Sequence, residues 1–598
     1  MYKYKRKITN KDSLKDSSFF ISNNDTMCSL NCNFGAYRIY DGLYIKNNRL
    51  LVENLFEEIE VKNSIYKIAN ITTSSMDISS DEYIEYVDLD ENCIKYDIGL
   101  VNYSKKILFD IDNDILVVKY NVHNEQNNII KFRVTPLITD RALNKVKTSQ
   151  LLKFTQRKSQ NGVVINLSIS DNKNLYISSD LLNYDKDVEY VNNVKHYDTD
   201  EELNNNVYVE DLFMPGTFEI TIRKNESKEF NIFISTKEIK QNINTQKYIE
   251  RRDSIISKIP EEYVELRDLA LCISEFDNKK ISTFPYVYEL PDIYRKDETT
   301  LDRLLDYINV LEEYTRAIEG RYLVFNKIRE AEEELEYVKK IIEDLEKLCI
   351  DNKKFIFAFA KLKLWYIEIQ NKLIGDNNYL ITEFRASFVK SIIYDLMKEE
   401  KQSIVLRNIE TSALMFNATK ICKYMLNKLG KDDEYLYEIE ASIKKIIENE
   451  FFVEDKRCMK ENLDDNIVKA NIPMLYTLSL SYPCIVGPKS IMLLDTIFKE
   501  LYTPYGLRST FKTDLKNKGM IYPKYLAHFI KANLRQNGVT SASKKIAYNL
   551  VKELIMDISK KVSGGVTLVY NEKGVKINNI SYDLLTNAEI IRLYDMLT

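Results

Sequence analysis

Ten residues, LYTPYGLRST (501–510), bring together two tyrosines, a proline, a glycine and an arginine. The whole sequence uses only 15 glycines and 10 prolines over 598 positions, below the ordinary shares of about 7% and about 5%. The cluster therefore marks a specific break between helical stretches. Tyr502 and Tyr505 offer flat faces for C–H groups, Gly506 permits a tight turn, and Arg508 carries a planar fork of donors for hydroxyls. The same residues also make an ordinary turn if the tyrosines pack and Arg508 pairs with a carboxylate. Other chemistries lack their parts. The three histidines, His123, His196 and His528, lie far apart in sequence, so HExxH and Cys/His zinc patterns are missing, and each reads as an ordinary surface or half-buried residue. There is no P-loop and no GxSxG elbow, and Gly564-Gly565 alone is too little for a phosphate loop. The eight cysteines are scattered, with Cys28 and Cys32 the only close pair, which suits reduced thiols better than a disulfide frame.

The elements that must position such a site come in two kinds. Up to about residue 236 the pattern is strand. ILVVKYNV (115–122) and IIKFRVTPLI (129–138) flank a polar turn and predict a hairpin. TFEITIRKNESKEFNIFIS (217–235) predicts another, turning at 224–227, and VVINLSIS (163–170) turns at 171–174 into LYIS. From about residue 245 the period becomes helical. Leu301, Leu304, Leu305, Ile308 and Leu311 share one face, as do Leu335, Val338, Ile341, Ile342, Leu345 and Leu348, with Glu332, Glu333 and Glu334 as the wet side. A β-sandwich over 1–240 and a helical unit over 250–598 follow as expectations. A net charge of −5 and 44% apolar residues describe a soluble protein and argue against nucleic acid or an anionic membrane as the main partner. The basic run Lys3–Lys7 lacks the apolar stretch of a signal peptide, and no run is long enough to span a membrane.

Seven segments in order carry a resemblance. They are YRIYDGLYI with NRLLVENLFEEIEV (37–61), TPLITDR (135–141), YVEDLFMPGTFEI (208–220), NIETSALMFNATKI (408–421), KANIPMLYTLSLSYP through LYTPYGLRST (469–510), KGMIYPKYLAHFIKANLRQNG (518–538) and TNAEIIRLY (586–594). Together they resemble the bacterial and archaeal glycogen debranching enzymes. The resemblance implies an N-terminal antiparallel β-sandwich followed by an (α/α)6 helical toroid, with 501–510 at a loop end beside the glucan pocket. It implies Tyr286, Trp365, Tyr505, Arg508 and Tyr522 as substrate-binding residues, and α-1,6-glucosidase chemistry on α-glucan.

The chain departs from the family where the chemistry should be. Glycoside hydrolysis needs one carboxyl group to protonate the leaving oxygen and a second to activate water or attack. The family's acid loop, Thr-Trp-Met-Asp-Ala, is absent from 364–410, where one helical pattern runs almost directly into the next. Asp395 is the nearest carboxylate, in helical phase with Ile392, Ile393 and Leu396. At the family's base glutamate stands Val569, and Glu572, three residues on, decorates a turn at 571–574. The family's Asp-Trp-Gly-Arg-Asp becomes Glu289-Leu290-Pro291-Asp292-Ile293, its Trp-Pro-Trp becomes Tyr522-Pro523-Lys524, and a histidine becomes Asp41. Pro215-Gly216, Asn417 and Tyr505-Gly506-Leu507 remain, as parts that fold the domains. The expectation is a cytoplasmic protein without cofactor or metal that binds an α-glucan or a protein partner and has lost most or all hydrolysis. Two alternatives stay open: an active enzyme with relocated carboxylates such as Asp395 and Glu572, and an interaction protein unrelated to sugars.

Overall fold

The computed structural model describes residues 7–8, 18–258 and 298–598, apart from 24–25, 40, 48, 63, 89–90, 144–145, 149–153, 168–173, 198–206, 240–241, 326–327, 349, 376, 510–519, 561–569 and 571–583. The first half is built on β1 (Arg49–Val61), β2 (Val101–Asp110), β3 (Ile115–Asn124), β4 (Ile130–Ala142), β5 (Phe154–Ser159), β6 (Gly162–Leu167), β7 (Asn174–Ser179), β8 (Glu189–Tyr197), β9 (Val207–Met214), β10 (Thr217–Ile222) and β11 (Glu226–Ser235). One antiparallel sheet contains the order β2-β3-β11-β7-β6-β5, and the second contains β10-β4-β1, with β9 pairing both β4 and β8. Period-two alternation explains the layering. Tyr120, Ile177 and Ile232 of the first sheet and Ile59, Phe132 and Phe218 of the second are fully buried in one core.

The expected strands form, but two of the three expected hairpins do not. β3 pairs with β2 and β11, whereas β4 pairs with β1 and β10, so the bend at 125–129 carries the chain from one sheet to the other. The bend between β10 and β11 does the same, and the two arches stack. Asn124 is the staple: its Nδ2 donates to the carbonyls of Asn128 (2.9 Å), Ile222 (3.2 Å) and Arg223 (3.1 Å), and its own carbonyl accepts from Asn225 N–H at 2.7 Å. A strand with one apolar face has the same alternation in a hairpin and in an arch, so pattern alone does not separate them. The third pair, β6 with β7, is antiparallel as expected, from Gly162↔Ser178 to Asn166↔Asn174.

Helices follow: α1 (Gln246–Lys258), α2 (Glu298–Phe325), α3 (Ile328–Glu346), α4 (Lys353–Ile374), α5 (Glu383–Leu396), α6 (Glu399–Val405), α7 (Ile409–Lys428), α8 (Glu434–Ile446), α9 (Tyr476–Ser479), α10 (Pro488–Glu500), α11 (Leu526–Asn537), α12 (Ser541–Lys560) and α13 (Leu584–Leu597). α1 seals the sandwich, with Tyr248 fully buried in its core. Contacts α2–α4, α4–α7, α7–α9, α9–α11, α11–α13 and α13–α2 close a ring of six inner helices, and α3, α5, α8, α10 and α12 pack around it. This is the (α/α)6 toroid. The stripe predicted on α2 is the buried one, with Leu304, Ile308 and Leu311 at 1% exposure or less. One part of the wet side of α3 is not wet. Glu334 is buried, and Tyr314 Oη donates to it at 3.4 Å.

Candidate functional site

Charged residues stand in phase with the apolar stripes and so point into the ring. On α4, Lys361, Trp365, Glu368 and Lys372 recur at helical spacing. On α2, Glu312, Arg316 and Glu319 continue the stripe of Ile308. Glu410 lies in the first turn of α7, whose start is fixed by Asn408 Oδ1 accepting from Glu410 N–H at 2.9 Å.

Where α7 and α9 begin, two carboxylates share one ammonium. Lys361 Nζ lies 3.3 Å from Glu312 Oε2 and 3.3 Å from Glu410 Oε1. Burial pushes the Glu312 carboxyl up, but Lys361 and Arg316 outweigh it and hold the group below its ordinary value. Burial lowers the Lys361 ammonium, and Glu312 and Glu410 more than reverse that. Arg316 bonds Glu312 at 3.1 Å and lies 4.1 Å over the Trp365 ring. Trp365 Nε1 donates to Glu410 at 3.4 Å, while Tyr476 and His528 meet its ring edge-on at 5.3 and 5.9 Å. An inverting glycosidase keeps roughly 6.5–9.5 Å between its carboxyl groups for a water molecule. Between Glu312 and Glu410 that space holds Lys361.

Farther along the ring axis, Glu368 accepts from Asn417 Nδ2 (2.8 Å), Ser481 N–H (3.2 Å) and Ser481 Oγ (3.0 Å). Asn417 accepts in turn from Tyr482 N–H at 2.8 Å, so it ties α4, α7 and the segment after α9 together. Burial raises the Glu368 carboxyl, but Lys372, Lys531, Asn417 and Ser481 bring it below its ordinary value. Lys372 pairs with Glu319 at 2.6 Å, and Arg592 pairs with Glu589. Lys531 sits in this cation-rich zone, and burial, then Lys372, push its ammonium down to about 7.

The residues singled out from sequence are not gathered in one place. Trp365 is 1% exposed, beneath the Glu312–Lys361–Glu410 bridge. Tyr505 stacks on Tyr570 at 5.1 Å, and Tyr502 stacks on Phe498 and Phe529 while donating to the Leu550 carbonyl at 2.6 Å. Gly506 is required for close approach, since a Cβ there would lie 2.5 Å from the Tyr522 carbonyl carbon. Tyr522 and Arg508 lie on neighbouring strands, Ile521–Tyr522 and Gly506–Arg508. Arg508 pairs with no carboxylate among the described residues, and its Nε is buried without a partner. Asp395, near the end of the outer helix α5, is held by Lys401 (2.6 Å), Lys398 (3.0 Å) and Lys363 (3.6 Å). Its carboxyl, raised by burial, ends below the ordinary value because of those lysines. Tyr286, Val569 and Glu572 lie outside the described residues.

Sequence reasoning missed Glu312, Lys361, Glu410 and Glu368. The available signal was a charged residue recurring in phase with an apolar stripe. It also placed two of the three histidines too near the surface: His196 and His528 are buried inside charge clusters, while His123 is half-buried as expected. His196 belongs to a second cluster, in the sandwich. Its Nε2 lies 3.0 Å from Glu210, which accepts from Arg141 Nε at 2.9 Å, and 3.9 Å from Glu53. Burial pushes Glu53 up to about 7 and the neighbouring Asp41 up to about 6. Among the described residues no group of His, Cys, Asp and Glu could hold a metal ion, and no helix is long and apolar enough to cross a membrane.

Two family descriptions match this arrangement, the glycogen debranching enzyme N-terminal domain over residues 27–229 and amylo-alpha-1,6-glucosidase over residues 300–583. The chain belongs to the glycogen debranching enzyme family. Among curated proteins none matches the sequence. A crystal structure of a bacterial glucoamylase complexed with acarbose superposes with a TM-score of 0.57 at 11% identity, covering 100% of this chain and 96% of that one. A putative kojibiose phosphorylase from human microbiome aligns at a TM-score of 0.44 and 9% identity, covering 99% and 90%. At such identities the glucoamylase shares the fold.

Proposed function

We propose that this debranching-family protein binds α-glucan, or a partner protein, without efficiently hydrolysing the α-1,6 bond. The reading treats residues 1–240 and 250–598 as its two units and the cytoplasm as its location. One observation supports it above the others: Glu312 and Glu410 are bridged by the Lys361 ammonium, which fills the place a water molecule would take if the two were an acid and a base. Both of its contacts are 3.3 Å. A carboxylate paired with an ammonium is a poor proton donor, and loss of a general acid or base typically costs about 10²–10⁴-fold in rate. The expected outcome is no measurable glucose release from a limit dextrin carrying single α-1,6-glucosyl stubs. Turnover near one per second (on the order of a typical enzyme) would refute the reading.

A second reading, a working α-1,6-glucosidase with relocated groups, is favoured by Glu461. This residue is exposed, yet partial desolvation, then Asp465 and Glu410, raise its carboxyl. A carboxyl group that keeps its proton to higher pH is what a glycosidase's general acid requires. If glucose is released and Glu461→Gln abolishes release, this second reading replaces the first.

A further inference from the structure

The first sheet of the sandwich carries a groove on its outer side. Alternation sends Val118, Ile165, Ile177, Ile232 and Ile234 into the inter-sheet core, all fully buried. The intervening residues face the other way and fall into ladders across the strands. In one, Val117 pairs with Phe233 and Phe233 with Ser178. In the next, Ser235 pairs with Tyr176, Tyr176 with Val164, and Val164 with Arg157. These ladders, with the segment after β11, border an open groove of about 690 Å³, within the range of roughly 300–1,000 Å³ usual for ligand sites.

The lining is mixed. The rings of Tyr176 and Phe233 are flanked by Ser178, Gln160, Asn161 and Asn231. Its charges nearly cancel, with Lys119, Arg157 and Lys158 against Asp180 and Glu238. Two of these charges are already committed: Asp180 accepts from Asn231 N–H at 2.8 Å and from its Nδ2 at 2.6 Å, and Lys119 pairs with Glu229 at 2.5 Å. Arg157 and Lys158, on the edge strand β5, make no ion pair among the described residues and remain available as donors. An aromatic floor with a nearly neutral rim of amides, hydroxyls and donors suits a neutral polyhydroxylated chain. It does not suit an anion, which needs a surplus of positive charge, or an apolar helix, which needs an unbroken apolar strip.

We propose that this groove binds a linear α-1,4-glucan segment. It would make the sandwich, and not the toroid axis, the place where the protein holds its polymer. The proposal rests on the α-glucan reading above and adds its location. Tyr176 supplies the stacking face, and Arg157, Gln160 and Asn161 supply hydrogen bonds to hydroxyls. The toroid axis at Glu312–Lys361–Glu410 is occupied by its own ion pairs.

The test uses the full chain with glycogen in a native gel and with maltoheptaose in hydrogen exchange. Wild type should be retarded by glycogen, and maltoheptaose should protect β5, β6 and β7. Tyr176→Ala should weaken retention between about twofold and about tenfold, the effect of one stacked ring. Because that change touches a half-buried residue, Ser178→Trp serves as the second variant. It fills the groove while leaving the strand backbone intact, and it should abolish retention with an unchanged melting temperature. If wild type is retarded and both variants are retarded equally, the groove is overturned while the α-glucan reading stands. Protection confined to α4 and α7, with a shift in Trp365 emission, has the same meaning. If wild type shows neither retardation nor protection, the α-glucan reading itself falls, and the groove with it.

Discussion

Two buried charge clusters, one in each half of the molecule, respond differently to burial. In the toroid, Glu312, Glu368 and Glu589 are all desolvated, yet each ends below its ordinary value because cations and hydrogen-bond donors outweigh desolvation. In the sandwich, Glu53 and Asp41 end well above theirs because desolvation wins, while Glu210, paired with Arg141 and His196, ends below its own. The difference lies in pairing. Glu368 has donors on both oxygens, whereas Glu53 Oε2, Arg141 Nη2 and His196 Nδ1 are buried without hydrogen-bond partners. Burial alone therefore does not set the direction of a shift; the number of committed partners does.

The largest expected effect comes from unpairing the toroid. Lys361→Met leaves Glu312 and Glu410 facing each other without their shared cation. It should cost about 3 kcal/mol, the low end for a broken buried pair because Lys361 keeps some contact with solvent. Thermal unfolding would check this, and an unchanged melting temperature would show the bridge to be ornamental.

Next in size is a reversal with pH. Glu53 and His196 are raised in the folded state, so their contribution is complete below their unfolded values. It is lost as pH rises through the folded ones. For Glu53 the window runs from about 4 to about 7 and is worth about 3 kcal/mol. Glu312, Glu368 and Glu589 are lowered, so their contribution is present above about pH 4.5 and is lost as pH falls through their folded values. Going from about pH 4.5 to about pH 8 should thus weaken the sandwich more than the toroid, and going down to about pH 3 should weaken the toroid, with its three lowered carboxyls, more than the sandwich, where Glu210 is lowered. Hydrogen exchange of β1 and β4 against α4 and α7 reads this directly. Glu53→Gln should strengthen the sandwich at the higher pH only. The same half weakening more in both directions would break the comparison.

The smallest effect is expected at Arg508. Since it closes no ion pair among the described residues, Arg508→Ala should change stability by no more than about 0.5–1 kcal/mol. A loss near 3 kcal/mol, measured by denaturant titration, would reveal a buried partner and would make this arginine a structural strut.

How much of this was legible depends on what a side chain's own sequence neighbours can reveal. The stripes of α2 and α3 could be read because a helix buries residues at a fixed local period. The strands β3, β4, β10 and β11 could be read for the same reason, but their partners could not. Asn124 bonds to Ile222 and Arg223, nearly a hundred positions away, and it is that contact which makes arches out of expected hairpins. The bridge at Lys361 was hidden because Glu312, Lys361 and Glu410 come from three helices. Each stands in phase with an apolar stripe, which marks it as inward-facing, but nothing in its own helix names the partner it meets. Tyr505 and Gly506 stood out by type, yet their neighbours Tyr570 and Tyr522 decide that one stacks and the other permits a close approach.

Ring closure has a consequence for how the protein is made. α2 ends at Phe325, but its neighbour α13 does not begin until Leu584. The two meet closely, and a Cβ on Gly320 would come within 2.7 Å of Ala588. During translation, the inner helices emerge one after another while the seam for α13 stays open, leaving an apolar flank of α2 exposed until α13 itself has been made. Such a nascent chain invites chaperone capture and mispairing between neighbouring polysomal copies. A ribosome stalled anywhere before Leu584 would release an unclosed ring, so quality control at this seam waits on α13.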